Sequence, residues 1–146
     1  MTRHRLAAVN ILYSTTATAT GDGRNGHTAT EDGLVDVDVR TPKELGGPGG
    51  ATNPEQLFAA GYAACFHSAM KLVAKPMEID ATDSAVSVTA GLGMLDGGAF
   101  SLALEIVVDV PNASPEQAQA LVERAHEVCP YSNATRGNVE VTLGVL

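Results

Sequence analysis

An apolar, alanine-rich stretch between two prolines places the strongest limit on how this chain of 146 residues can fold. The stretch is TNPEQLFAAGYAACFHSAMKLVAK, residues 52–75, with Pro54 near its start and Pro76 directly after it. Proline suits the first turn of a helix and prevents a helix from continuing, so the two prolines bracket one long helix. Two pairs at capping-box spacing support the same start: Thr52 with Glu55, and Asn53 with Gln56.

Alternation of apolar and polar residues predicts the strands on either side of this helix. Before it, residues 6–20 predict a loose strand, GDGRNG a turn, and GLVDVDVR, residues 33–40, a half-buried strand. After it, residues 84–95 and 99–110 alternate around Asp96-Gly97-Gly98, which predicts a hairpin. The segment NVEVTLGVL, residues 138–146, predicts a final strand.

A second helix is predicted over residues 114–128, SPEQAQALVERAHEV. Ser114 is the expected N-cap, Pro115 the first helical residue, and Gln117 completes a capping box, while Pro130 stops the helix. The order β-β-α-β-β-α-β lacks the pattern of a parallel βαβ sheet. We therefore predict an α+β fold, an antiparallel sheet with two main helices, as a single domain over residues 1–146.

Composition and charge exclude several classes of function. Hydrophobic residues make up 45% of the chain and charged residues 18%, enough for a core without disulfides. The net charge of −8 argues against nucleic acid or an anionic membrane as a partner. The longest apolar run, residues 57–74, is interrupted by His67 and Lys71, so no membrane span is expected. The chain start imitates a signal peptide, but Asn10 interrupts its apolar run, and we expect a cytoplasmic protein.

Three further patterns resemble binding motifs, but the residues around each of them argue against that interpretation. GDGRNG matches the dinucleotide pattern G-x-G-x-x-G, but a turn and a strand follow it where a helix is required. GGPGGATNPE is glycine-rich before a helix, yet lacks the Gly-Lys-Ser/Thr of a P-loop. A metal site would need Cys65, His67, His126 and Cys129, but residues two apart on a helix point in different directions, so we predict no metal.

The two cysteines of the chain, Cys65 and Cys129, are the remaining candidates for chemistry. Residues at helical spacing from Cys65 are small or apolar: Phe58, Gly61, Tyr62, Ala69 and Leu72. Free cysteine is often buried, so position alone favours an inert core residue. Cys129 lies at a predicted helix C-terminus, where the helix dipole disfavours a thiolate.

A nucleophilic cysteine needs a nearby cation, and Arg24 is a candidate because a tight glycine-rich turn can hold it rigidly. An arginine can contact a thiolate on one side and a carboxylate on the other. Glu55 could supply the carboxylate, since it opens the helix that carries Cys65. Each residue also has an ordinary interpretation, Arg24 as a solvated turn residue and Glu55 as an acid favoured at a helix start.

Two long strings carry a specific resemblance: TPKELGGPGGATNPEQLFAAGYAACFHSAMK and EVCPYSNATRGNVEVTL. They resemble the organic hydroperoxide resistance proteins, within the wider family that includes osmotically inducible protein C. The resemblance covers essentially the whole chain, including YSTTATATGDGRNG. CPYSNATRGN is closer to the organic hydroperoxide branch.

The resemblance implies a thiol-dependent peroxidase with an OsmC/Ohr-like fold and no bound cofactor. The peroxidatic cysteine of the family matches Cys65 and its resolving cysteine matches Cys129. Its activating arginine matches Arg24, although two glycines more often precede that arginine, and its glutamate in NPEQL matches Glu55. The resemblance also implies an intertwined homodimer, organic or fatty-acid hydroperoxides as substrates, and a lipoyl dithiol, such as dihydrolipoamide, as the external reductant.

Helix geometry adds an inference about the assembly. Glu55 and Cys65 would lie about 15 Å apart along a straight helix, too far for one arginine to contact both comfortably. Either the helix breaks near Gly61, or Arg24 and Glu55 come from the other subunit of a dimer. Three alternatives to the main hypothesis remain: an OsmC-type peroxidase of broader specificity, a thiol sensor without turnover, and a binding protein with an inert cavity.

Overall fold

The structure, a computed structural model, describes residues 8–146 and divides the chain into two compact units, Met1–Asn53 and Pro54–Leu146. The first unit contains strands and a short 3-10 helix: β1 (Ala17–Asp22), β2 (Asn25–Thr30), β3 (Asp36–Asp38) and Lys43–Leu45. The second contains three strands and three helices: α1 (Pro54–Ala74), β4 (Ala85–Met94), β5 (Phe100–Asp109), α2 (Pro115–Val128), α3 (Pro130–Thr135) and β6 (Glu140–Val145).

In the first unit, β1, β2 and β3 form an antiparallel sheet in that order. GDGRNG is a turn as predicted, because Asp22 pairs with Asn25 and leaves Gly23 and Arg24 as the loop. A Cβ on Gly26 would lie 2.2 Å from the backbone oxygen of Thr20, so only glycine fits there. The apparent dinucleotide motif is therefore explained by the close approach of two strands.

The strand predictions in this unit need correction. The strand predicted over residues 6–20 begins only at Ala17; residues 8–16 form no strand, and residues 6 and 7 lie outside the described part. The strand predicted over residues 33–40 shrinks to Asp36–Asp38, followed by a bridge from Val39 to Thr52. Strand β2 was not predicted. Every residue of β1 is exposed and most of β2 is half-buried, so neither β1 nor β2 shows the alternation that a buried face imposes.

An imidazole lies between two carboxylates on this sheet. His27 Nε2 is 2.7 Å from Asp36 Oδ1, and His27 Nδ1 is 2.8 Å from Asp38 Oδ1. Both nitrogens can donate only in the protonated ring. The hydrogen bond to Asp38 raises the pKa of His27, and the bond to His27 lowers the pKa of Asp38.

We expect this cluster to make stability pH-dependent. A raised folded-state pKa gives His27 a contribution that is present below about pH 6.5 and lost as the pH rises through the raised value. The lowered pKa of Asp38 gives a contribution that is lost only as the pH falls through that lowered value. His27→Gln should therefore flatten the change in melting temperature between about pH 5.5 and about pH 8. The matched control is His67→Gln, since His67 bonds to Ser84 instead of a carboxylate; equal profiles for the two variants would contradict the prediction.

In the second unit, β4, β5 and β6 form one sheet in that order. The predicted hairpin is confirmed, with Met94 paired to Phe100 around the turn. Helix α2 begins as predicted, with Ser114 as N-cap and a complete capping box with Gln117. Helix α1 packs on β4 and α2, and its Tyr62, Phe66 and Met70 are fully buried.

The α+β class is confirmed, but the described strands form two three-stranded sheets where a single antiparallel sheet was predicted, and the second sheet is mixed. Strands β5 and β6 are parallel, although no parallel pairing was predicted. Helices α2 and α3 lie between these strands in the chain and supply the long crossover that a parallel pair requires. The predicted single domain stays a prediction.

Helix α1 is also long and apolar enough to cross a membrane by length and composition alone, which the sequence prediction had excluded. Its apolar character has a different source in this fold. Tyr62, Phe66, Met70 and Val73 recur at helical spacing and form part of the buried core. A core helix of a globular domain satisfies the same criterion.

Candidate active site

The two cysteines lie together, although 63 residues separate them in the sequence. Cys65 is in the middle of α1, and its Sγ is 3.7 Å from the Sγ of Cys129. Both are free thiols; Cys65 is half-buried, and Cys129 has no exposed surface. Two sulfurs at this distance need only a small movement to form a disulfide, in which they lie about 2 Å apart.

Cys129 occupies the junction between two helices. It is the C-cap of α2 and the N-cap of α3, which begins at Pro130. Its backbone N–H donates to the oxygen of Ala125 at 2.9 Å, and its own carbonyl accepts from the N–H of Asn133 at 2.9 Å. The sequence predicted only the end of a helix here. The dipole argument therefore does not hold in its simple form, because the ends of two helices with opposite polarity meet at Cys129.

Burial and one backbone amide shift the pKa of the Cys65 thiol in opposite directions. Burial is the largest effect and raises the pKa of the Cys65 thiol, and the neighbouring Cys129 raises it further. The backbone N–H of Tyr131 donates to Cys65 and lowers the pKa. This amide is available because Tyr131 lies in the first turn of α3, where backbone N–H groups have no partner within the helix.

Gly61 allows Tyr131 to lie against α1. A Cβ at Gly61 would be 2.9 Å from the Tyr131 hydroxyl oxygen, so a larger residue would displace the ring. Gly61 therefore gives α1 a close contact with α3. Leu72, expected on the same buried face as Cys65, is instead 71% exposed. Helix α3 has only six residues, and Leu72 lies about two turns beyond Cys65.

A buried hydrogen-bond network joins α3 to α1 and α2. The hydroxyl oxygen of Tyr62 is 2.8 Å from Ser132 Oγ and 3.2 Å from Thr135 Oγ1. Ser132 Oγ is also 2.8 Å from Nδ1 of His126. Burial is the main cause that lowers the pKa of His126, and the charge of Arg136 adds to it. The network thus joins α1, α2 and α3 within about one helical turn of each cysteine, since Tyr62 precedes Cys65 by three residues and His126 precedes Cys129 by three.

An apolar groove of about 500 Å³ lies along α3; neither cysteine lines it, but Pro130, the residue after Cys129, does. Most of its lining is apolar or aromatic: Phe58, Leu102, Pro130, Tyr131, Ala134 and Val139. Tyr131 links the groove to the thiols, since this residue lines the groove and its backbone amide donates to Cys65. Phe58 and Tyr131 pack edge to face with ring centroids 5.9 Å apart.

The remaining predicted site residues lie at the positions that the sequence indicated. Arg24 is half-buried in the β1–β2 turn of the first unit, and Glu55 is in the first turn of α1 in the second. Helix α1 runs without a break from Pro54 to Ala74, so the helix does not bend at Gly61 to shorten the distance from Glu55 to Cys65. The approach of Arg24 and Glu55 to Cys65 stays a prediction.

Comparison with known proteins decides the family. Residues 47–144 match the family model described as OsmC-like protein. The organic hydroperoxide resistance protein of Xanthomonas axonopodis pv. citri is 50% identical over 135 residues, 91% of this chain and 94% of the relative. The chain belongs to the OsmC family. The resemblance stated from the sequence is thereby confirmed.

Further OsmC-family relatives agree with this assignment. Organic hydroperoxide resistance protein OhrB of Bacillus subtilis is 48% identical over 136 residues, 90% of this chain and 96% of the relative. The crystal structure of an organic hydroperoxide resistance protein from Legionella pneumophila has a TM-score of 0.88 and 51% identity, covering 93% of this chain and 98% of that one. The predicted OsmC/Ohr-like fold is therefore confirmed.

The sequence analysis missed two contributors to this OsmC-family site. The Tyr131 amide carries no side-chain signal, and only recognition of a new helix at Pro130 would have revealed it. Ser132 was quoted within CPYSNATRGN without a role. The available signal was the three-residue spacing of Ser132 and Thr135, which places both hydroxyls on one face of a helix; the structure shows both fully or almost fully buried.

Proposed function

We propose that this OsmC-family protein is a thiol peroxidase that reduces organic hydroperoxides to alcohols and so contributes to organic hydroperoxide resistance. The observation that carries the proposal is the 3.7 Å distance between the sulfurs of Cys65 and Cys129. The names of relatives at about 50% identity support the substrate class.

The reaction begins at Cys65. Its thiolate attacks the terminal oxygen of ROOH, an S–O bond forms, the O–O bond breaks, and the departing alkoxide takes a proton to become the alcohol. Cys65 is left as a sulfenic acid. The thiol of Cys129 then attacks this sulfur, the S–S bond forms, and the hydroxyl leaves as water with the proton of Cys129. Two electrons have passed from the two thiols to the peroxide.

An external dithiol completes the cycle. One of its thiolates attacks the Cys65–Cys129 disulfide, which releases one cysteine and forms a mixed disulfide with the other. The second thiol of the reductant then attacks this mixed disulfide and releases the remaining cysteine, so both cysteines are reduced again. A lipoyl dithiol suits this role because its two thiols form an intramolecular disulfide on leaving. No bound cofactor takes part in this scheme.

Arg24 and Glu55 have supporting roles in the proposal. Because burial raises the pKa of Cys65, a thiolate at neutral pH needs stabilisation beyond the Tyr131 amide. The guanidinium of Arg24 would stabilise the thiolate and the charge that develops on the peroxide oxygens, and Glu55 would orient Arg24. Since α1 is unbroken, we favour a homodimer in which the site is shared between subunits. A monomer with full activity would contradict the shared site.

The groove supports an organic substrate. Its aromatic and aliphatic walls stabilise an alkyl or fatty-acid chain through the hydrophobic effect, whereas hydrogen peroxide gains nothing from them. The described chemistry needs no nucleic acid or membrane partner, and we propose that the protein acts in the cytoplasm.

A coupled assay with cumene hydroperoxide and dihydrolipoamide tests the proposal. We expect many turnovers for the wild type, and a lower kcat/KM for hydrogen peroxide. Arg24→Ala should lower kcat/KM for cumene hydroperoxide by about 100-fold or more, the usual loss when a charge-stabilising group is removed. Arg124→Ala is the matched control, because Arg124 pairs with Glu127 on an exposed face of α2.

The same assay separates the alternatives. Consumption of a single equivalent of peroxide without turnover would indicate a thiol sensor. No reaction of Cys65 with peroxide would indicate an inert binding protein. Equal kcat/KM values for cumene hydroperoxide and hydrogen peroxide would indicate a peroxidase of broader specificity, and equal losses in Arg24→Ala and Arg124→Ala would exclude the role of Arg24.

A further inference from the structure

Helix α3 needs support from outside itself. It has only six residues, far fewer than an isolated helix needs in water, and its N-cap, Cys129, provides no side-chain capping bond. Yet this short helix carries both groups that meet Cys65: the Cys129 thiol at its start and the Tyr131 amide in its first turn. Whatever holds α3 in place therefore determines the geometry of the thiol pair.

The buried network described above provides that support. Ser132 is three residues after Cys129, and its Oγ lies within 2.8 Å of both the Tyr62 hydroxyl and His126 Nδ1. Thr135 Oγ1 donates to the carbonyl oxygen of Ser132 at 3.2 Å, and so accepts its second bond from the Tyr62 hydroxyl at 3.2 Å. Tyr62 and Ser132 have no exposed surface, so water cannot replace these partners.

We infer that Tyr62, Ser132 and His126 are positioning residues that hold α3 so that Cys129 meets the oxidised Cys65. The inference deepens the proposed function by assigning residues to its disulfide-forming step. None of the three is required to contact the peroxide. Their loss should therefore slow closure of the disulfide more than the first oxidation of Cys65.

The scale of the effect follows from geometry. The two sulfurs must approach from 3.7 Å to bonding distance in a defined direction. A displacement of about 1 Å between reacting groups can cost on the order of 100-fold in rate. Removing one hydroxyl of the network frees α3 to shift without deleting either cysteine.

Two minimal variants test the inference, Tyr62→Phe and Ser132→Ala. Reduced protein is mixed with one equivalent of cumene hydroperoxide, and sulfenic acid and disulfide are followed by rapid quench and intact mass. We expect Cys65 oxidation within about threefold of the wild type and disulfide formation at least about tenfold slower, with more sulfinic acid at higher peroxide.

Ser114→Ala is the matched control for a loss of stability. It removes the capping box of α2, and so lowers the melting temperature without touching the network. It should leave the disulfide rate within about twofold of the wild type. If Tyr62→Phe and Ser132→Ala also stay within twofold, or slow only as much as Ser114→Ala, the inference is wrong.

A second oxidant separates this inference from the proposed function. Diamide closes a disulfide without peroxide, because its azo bond takes up the two electrons and two protons that the two thiols release. The inference predicts the same tenfold slowing with diamide in Tyr62→Phe and Ser132→Ala. If the wild type consumes no peroxide but the diamide difference persists, the positioning role stands and the peroxidase proposal fails. Unchanged diamide rates would overturn the positioning role.

Discussion

Cys65→Ser is expected to lose peroxide turnover by at least about a thousandfold, the scale seen when a catalytic nucleophile is removed. A serine hydroxyl is hardly ionised at neutral pH and does not form a stable S–O intermediate. The substitution exchanges one small side chain for another at a half-buried position, so the fold should be retained. The measurement is the coupled consumption of cumene hydroperoxide with dihydrolipoamide, at equal protein concentrations.

Ser68→Ala is a suitable control on the same helix. Ser68 lies on an exposed face of α1, one turn beyond Cys65, and the change should leave turnover unaffected. Melting temperatures of all variants establish that a loss of activity is not a loss of fold. Comparable turnover in the wild type and Cys65→Ser would end the peroxidase interpretation.

Local rules were enough for the elements that pack into the core. Pro54 and Pro76 set the limits of α1, and the Ser114 capping box set the start of α2, because these signals act on their immediate neighbours. Strand β2 escaped prediction because its residues are half-buried almost throughout and so do not alternate between a buried and an exposed face. The parallel pairing of β6 with β5 depends on the route of α2 and α3, which no local pattern encodes.

The site shows a similar division. Helical facing alone made Cys65 an ordinary core residue, and nothing in the spacing of 63 intervening residues predicts contact with Cys129. The resemblance supplied that pairing, and the structure brings the two sulfurs together. Helix α3 explains the rest: it begins directly after the end of α2, so the sequence pattern showed one helix end where two helices meet.

Mixed with one equivalent of peroxide per subunit and no reductant, Cys129→Ser is expected to stop at the sulfenic acid of Cys65. Cys65 can still be oxidised, but the thiol that forms the disulfide is missing, so the sulfenic acid accumulates or is oxidised further. Intact mass should show a gain of about 16 Da, or about 32 Da at excess peroxide, where the wild type loses about 2 Da on forming its disulfide. Dimedone should label the variant and leave the wild type unlabelled.

The position of Cys129 beside Cys65 gives the expected size of this loss. Cys129 has no exposed surface and lies 3.7 Å from Cys65, whereas the Tyr131 ring packs against α1 at Gly61, one turn from Cys65. Cys129 is therefore already in place beside Cys65, whereas an external thiol must first diffuse to it. We expect Cys129→Ser to retain at most about one tenth of wild-type turnover with dihydrolipoamide. Full turnover would show that the external dithiol reduces the sulfenic acid directly, and Cys129 would then have no resolving role.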